Sequence, residues 1–134
     1  MLFELMYCSH ASDVFGDQDL SDLVKTSRHN NLIHNITGCL FFGNGKFVQI
    51  IEGEEQKIAQ LYKNIQNDLR NDSVNLLHHN TILERYFKNW SLALCRNKEE
   101  LDQIFLSEKF RDRGSSSSYA FYLSSLLSKE GLVL

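Results

Sequence analysis

The chain has 134 residues, with 14 Lys and Arg against 17 Asp and Glu, a net charge of −3 and 43% hydrophobic residues. That length and apolar content suit one domain with a sizeable core, and the mixed, mildly acidic charge offers no basic face for nucleic acid. The apolar runs are strand-length, too short to span a membrane, and MLFELMYC at the start lacks a basic n-region or cleavage site.

Cys8, Cys39 and Cys95 are odd in number and widely spaced, which fits neither a disulfide framework nor a zinc site. The expectation is a cytoplasmic chain with reduced thiols. There is no proline, so Gly, Asn, Asp and Ser must make the turns.

Leu2 to Ser9 is nearly continuous and apolar, the pattern of a central strand covered on both faces. His10 to Gly16 reads as a loop. Asp17 then caps a helix whose Leu20, Leu23, Val24 and Ser27 fall at i, i+3, i+4 and i+7. That pattern fades at Arg28-His29-Asn30-Asn31. Ile36 to Phe42 and Lys46 to Glu52 flank Asn44-Gly45, the strongest short-range signal for a two-residue hairpin.

From Glu54 a second helix places Ile58, Leu61, Tyr62, Ile65 and Leu69 on one face. Val74 to Thr81 reads as a polar, peripheral strand, and Trp90 to Cys95 as a short fifth strand. The order β-α-β-β-α-β-β is a ferredoxin-like α+β plan with one extra strand, its two helices on one face of the sheet. Beyond Cys95, Asn97 and Glu100 open a short helix, and Tyr119, Tyr122, Leu123, Leu126 and Leu127 mark an amphipathic one. These two helices are expected on the other sheet face or against another subunit. The division is therefore 1–96 for the sheet domain and 97–134 for a helical extension.

Gln49 is the residue the local pattern least needs. It sits inside a returning strand that reads as buried on both faces, where an unpartnered amide costs about 1–3 kcal/mol per orphan group. If the first and third strands are neighbours, Tyr7 can reach it. Read alone, Tyr7 is a core tyrosine and Asn30-Asn31 a helix end tolerant of left-handed backbone. The usual catalytic patterns are missing: no phosphate-binding glycine loop, nucleophile elbow, HExxH or CxxC. The five histidines read as exposed or structural rather than metal ligands.

Tyr7 with Ser9, then SRHNN, ITG, GKFVQIIEGEE and FKNWS, in that order and spacing from about Phe3 to Cys95, resembles the BLUF family of flavin-using blue-light sensors. The resemblance implies a photoreceptor rather than an enzyme, short and stand-alone, binding FAD with FMN or riboflavin able to substitute. It implies that Tyr7 and Gln49 are the photoactive pair, that Asn30, Asn31 and Gln49 bond the flavin's polar edge, and that Leu23, Leu40, Phe47 and Ile65 are apolar walls. It places Ser27, Lys63, Asp68 and Arg70 near the ribityl and phosphate groups. Asn64 stands where relatives often carry an arginine, and Leu92 where they commonly carry methionine. Output through Trp90, Ser91 and Leu92 would alter contact with another copy of the chain or a separate effector protein. Two rivals share the fold plan, an acylphosphatase-like hydrolase and a flavin-free regulatory module, and both would be colourless.

Overall fold

The computed structural model describes residues 1–95, so the helices expected within 97–134 lie outside the described residues. The apolar N-terminal run forms β1 (Leu2–Ala11), two residues longer than the pattern suggested, so His10 belongs to the strand and not to a loop. Helix α1 (Asp17–Ile33) is capped by Gly16 and not by Asp17. Asp19 accepts the Gly16 backbone N–H at 2.8 Å, which places a carboxylate where the helix N-terminus favours one. The helix runs through Asn30 and Asn31 to Ile33, because nothing in that stretch breaks it. The left-handed residue is Asn35, with φ 54.

Strands β2 (Thr37–Gly43) and β3 (Lys46–Glu54) form the expected hairpin. Asn44 and Gly45 take φ 51 and 70, the left-handed pair of a type I′ turn, whose twist matches the strands it joins. Helix α2 (Glu55–Gln66) buries Ile58 under its inner face. Leu69 lies beyond its end and is 92% exposed, so it is not part of that face. Strand β4 (Asn71–Thr81) starts three residues earlier than its apolar content indicated. Only Ala93–Cys95 pair as β5, leaving Trp90 to Leu92 as an approach segment.

The sheet order is β4-β1-β3-β2-β5, antiparallel except for the parallel β2/β5 pair. Polar β4 is an edge strand, as its composition suggested, and β3 is central. Both helices cover one face. Leu20 and Val24 of α1 pack with Leu40, Phe47, Leu92 and Leu94, while Ile58 of α2 packs with Leu5, Tyr7, Ile36 and Ile51. The opposite face buries Met6, Cys39, Phe41, Val48, Ile50 and Phe87. Gly38 is where β2 meets β3 too closely for any side chain, since a Cβ there would fall 2.2 Å from the Ile50 carbonyl oxygen.

A connector of residues 82–92 crosses from the β4 edge to β5. Glu52, wholly buried, fastens it by accepting the backbone N–H of Tyr86 at 2.7 Å and of Phe87 at 3.0 Å, with the Thr37 hydroxyl at 3.0 Å. Arg85 donates to the Glu52 and Asn35 carbonyls and to Thr37, closing the network.

Candidate functional site

Tyr7 and Gln49 are directly opposed on β1 and β3, and both are buried on the helix-covered face. The Tyr7 hydroxyl donates to Gln49 Oε1 at 2.5 Å. With one lone pair of Oε1 engaged, that amide keeps its two Nε2 donors and the second lone pair. Burial, reinforced by the Asp68 carboxylate and Tyr62, pushes the Tyr7 phenol well above its ordinary pKa, so it stands as a neutral donor. The Tyr62 ring lies 5.9 Å from that of Tyr7, tilted by 50°.

A cleft of about 410 Å³ opens between the C-terminal half of α1 and α2, and two of its lining residues, Ile36 and Leu61, pack in the same cluster as Tyr7. Asn30, Asn31 and His34 line one side, Gln56, Lys57, Gln60, Leu61 and Asn64 the other, with Ile36 and Glu54 at the base. That size is within the range of cofactor pockets. Asn31 is buried and donates from Nδ2 to the Ser91 carbonyl at 2.7 Å, which leaves its Oδ1 and a second N–H. Exposed Asn30 keeps a donor and an acceptor on the same wall. A polar edge with alternating carbonyl and N–H groups, such as a flavin's, matches this donor set, and Leu61 and Ile36 supply apolar contact.

Of the residues expected around a cofactor, Asn30, Asn31 and Asn64 share this cleft. Leu40 and Phe47 are in the core beneath α1 with Leu23 against them, and Ile65 packs beside Tyr7 under α2. Ser27 is half-buried on α1 and Lys63 is exposed on α2. Arg70 pairs with Asp68 at 2.7 Å, and the guanidinium holds that carboxyl below its usual range. The lining of the cleft includes none of Ser27, Lys63, Asp68 or Arg70, and neither Gln49 nor the expected apolar walls Leu23, Leu40, Phe47 and Ile65.

Trp90 packs on the face away from the helices, whereas Leu92 is buried on the helix side among Leu20, Val24, Leu40 and Phe47. Sequence reasoning missed Arg28, whose Nε donates to the Leu92 carbonyl at 2.9 Å, and the Glu52 network. It also passed over His34, Lys57 and Gln60, which read as ordinary exposed positions on amphipathic helices. Their only signal was spacing along a helix face, His34 one turn from Asn30, and Gln60 and Lys57 one and two turns from Asn64.

A family model described as BLUF, sensors of blue-light using FAD, matches residues 2–93. The photoactivated adenylate cyclase subunit beta-like protein FB of Euglena gracilis is 37% identical over 93 residues, which are 69% of this chain and 11% of that protein. The chain therefore spans about a tenth of that relative's length. Among solved structures, the photo-activated state of BlsA superposes with a TM-score of 0.78 at 26% identity, covering 95% of each chain. The dark-state structure of BlrB, a BLUF protein, gives 0.76 at 26% identity, covering 96% of each.

Proposed function

The chain belongs to the BLUF family of blue-light sensors that use FAD, and from that premise we propose that the Tyr7–Gln49 pair is its switch. It is a blue-light photoreceptor that works with a flavin. The observation that carries the proposal is the 2.5 Å hydrogen bond from a buried, neutral phenol to a buried amide.

A bound flavin, once excited by blue light, supplies a strong one-electron oxidant. Tyr7 is the available donor, and its burial penalises leaving a bare positive charge behind. Its proton therefore moves along the hydrogen bond to Gln49 Oε1 as the electron leaves. In exchange the amide would release a proton from Nε2 to the bound flavin that has taken the electron, so Gln49 would relay the proton rather than store it, and electron and proton would both return to Tyr7. When the electron returns, Gln49 is left rotated or tautomerised, and the direction of its bonds to Tyr7 and to the cofactor edge changes. Asn30 and Asn31 hold that edge in place throughout. Light becomes a change of hydrogen-bond pattern, not a product.

We assign FAD as the resident flavin, with FMN or riboflavin able to replace it, because the anchors on the cleft wall address the ring rather than the tail. Leu23, Leu40, Phe47 and Ile65 serve as apolar supports, and Ser27, Lys63, Asp68 and Arg70 as groups toward the ribityl and phosphate end. Output runs through Trp90, Ser91 and Leu92 toward residues 97–134 and changes contact with another copy of the chain or a separate effector in the cytoplasm. This makes the domain a light-dependent binding module without catalysis of its own. The light-minus-dark absorption spectrum of purified, flavin-loaded protein tests the reading. A small, reversible red shift is expected; a colourless protein or persistent bleaching contradicts it.

A further inference from the structure

Three consecutive backbone carbonyls lead into β5, and two of them are held by side chains of α1. Trp90 accepts from the Gly38 backbone N–H at 3.0 Å, Ser91 from Asn31 Nδ2 at 2.7 Å, and Leu92 from Arg28 Nε at 2.9 Å. Among the described residues β5 pairs over three positions, parallel to β2 and at the edge of the sheet. The two bonds from α1 add to that ladder in holding the register of the segment. Arg28 and Asn31 are three residues apart and so share a helix face. Asn31 also lines the cleft, which puts one end of the grip beside the cofactor and the other on the output segment.

Arg28 is incompletely satisfied. Its Nη2 is buried and has no hydrogen-bond partner among the described residues. An unmet buried donor is costly, so a rearrangement that pairs it while giving up the Leu92 bond would recover part of that cost. We propose that Arg28 is a positioning residue that locks the register of Trp90–Leu92 in the dark and releases the Leu92 carbonyl in the lit state. The proposal rests on the Tyr7–Gln49 switch described above, which supplies the light-driven change at the Asn31 end.

Leu92-Ala93 is the single Leu-Ala pair in the sequence. Flavin-loaded full-length protein carrying carbonyl-¹³C leucine and ¹⁵N alanine therefore gives one correlated NMR signal for the Leu92 carbonyl. Blue light should move that signal upfield, as expected for a carbonyl losing its donor. Two variants of matched length separate the bond from packing. Gln puts an N–H donor at the position of Arg Nε, whereas Met puts a methyl there. Arg28→Gln should keep the dark signal in its wild-type place, and Arg28→Met should place it in the dark near the wild-type lit position. Met and Gln signals that coincide overturn the proposal. The wild-type light response decides without any variant: a normal red shift with an unmoved Leu92 signal also overturns it. Absence of the red shift on the same sample would instead mark failure of the Tyr7–Gln49 reading.

Discussion

The side chain of Asn31 donates to the carbonyl of Ser91, 60 positions away, and so joins the wall of the cleft between α1 and α2 to the segment that leads into β5. Replacing it with alanine leaves a part-buried carbonyl without its donor and removes an anchor from the cleft. Asn31→Ala should lower stability by about 1–3 kcal/mol. Urea denaturation measures this in the flavin-free protein, and the flavin-to-protein absorbance ratio after purification should fall in parallel.

Gly38 sits where β2 and β3 approach most closely. A Cβ would stand 2.2 Å from the Ile50 carbonyl oxygen and 3.2 Å from Ile51 Cα, and neither is the end of a flexible side chain. The strands must separate to admit it. Gly38→Ala should cost about 3 kcal/mol, at the upper end of overpacking penalties, and lower the midpoint of chemical unfolding accordingly.

The Glu52 carboxyl is pushed above its ordinary range by burial, against the bonds from Tyr86, Phe87 and Thr37 and the Arg85 charge, which favour the ionised form. The folded state then holds this proton more tightly than the unfolded state. Its contribution is complete below the ordinary value of 4.5 and is lost as pH rises through the raised folded value. Relative to Glu52→Gln, the wild-type protein should lose stability as pH rises from about 4.5. Urea midpoints of both proteins across that window check the sign, and parallel curves would contradict it.

Leu92 fills a helix-side site among Leu20, Val24, Leu40, Phe47 and Leu94 and is 1% exposed. Methionine matches its volume and adds a flexible torsion and a sulfur, so Leu92→Met should cost less than about 1.5 kcal/mol. Dark recovery of the spectral shift should change more than flavin affinity, which stopped illumination and equilibrium titration can each measure.

Much of the fold was legible because local chemistry dictated it. Asn44-Gly45 specified the hairpin, the unbroken apolar run of β3 its central place, and the polar residues of β4 an edge. Helix α1 overran its expected end because Asn30 and Asn31 read as a terminus, whereas Asn31 is held in the helix by a partner on the far side of the sequence. The same limit hid Arg28 and Glu52. Their partners lie 64 positions away for Arg28 and 15 to 35 positions away for Glu52, and no periodicity reports such contacts. Gln49 was legible because a polar amide is unusual in so apolar a strand, whereas Tyr7, an ordinary core tyrosine on its own, was marked by the motif resemblance; antiparallel pairing of β1 with β3 brings the two face to face.

The central claim is that the Tyr7 phenol drives the change at Gln49, and Tyr7→Phe tests it most directly. The substitution removes one hydroxyl from a buried ring and leaves the walls of the cleft intact. Light-minus-dark absorption of the flavin-loaded variant should show bound, oxidised flavin and no reversible red shift, whereas an undiminished shift would remove Tyr7 from the mechanism.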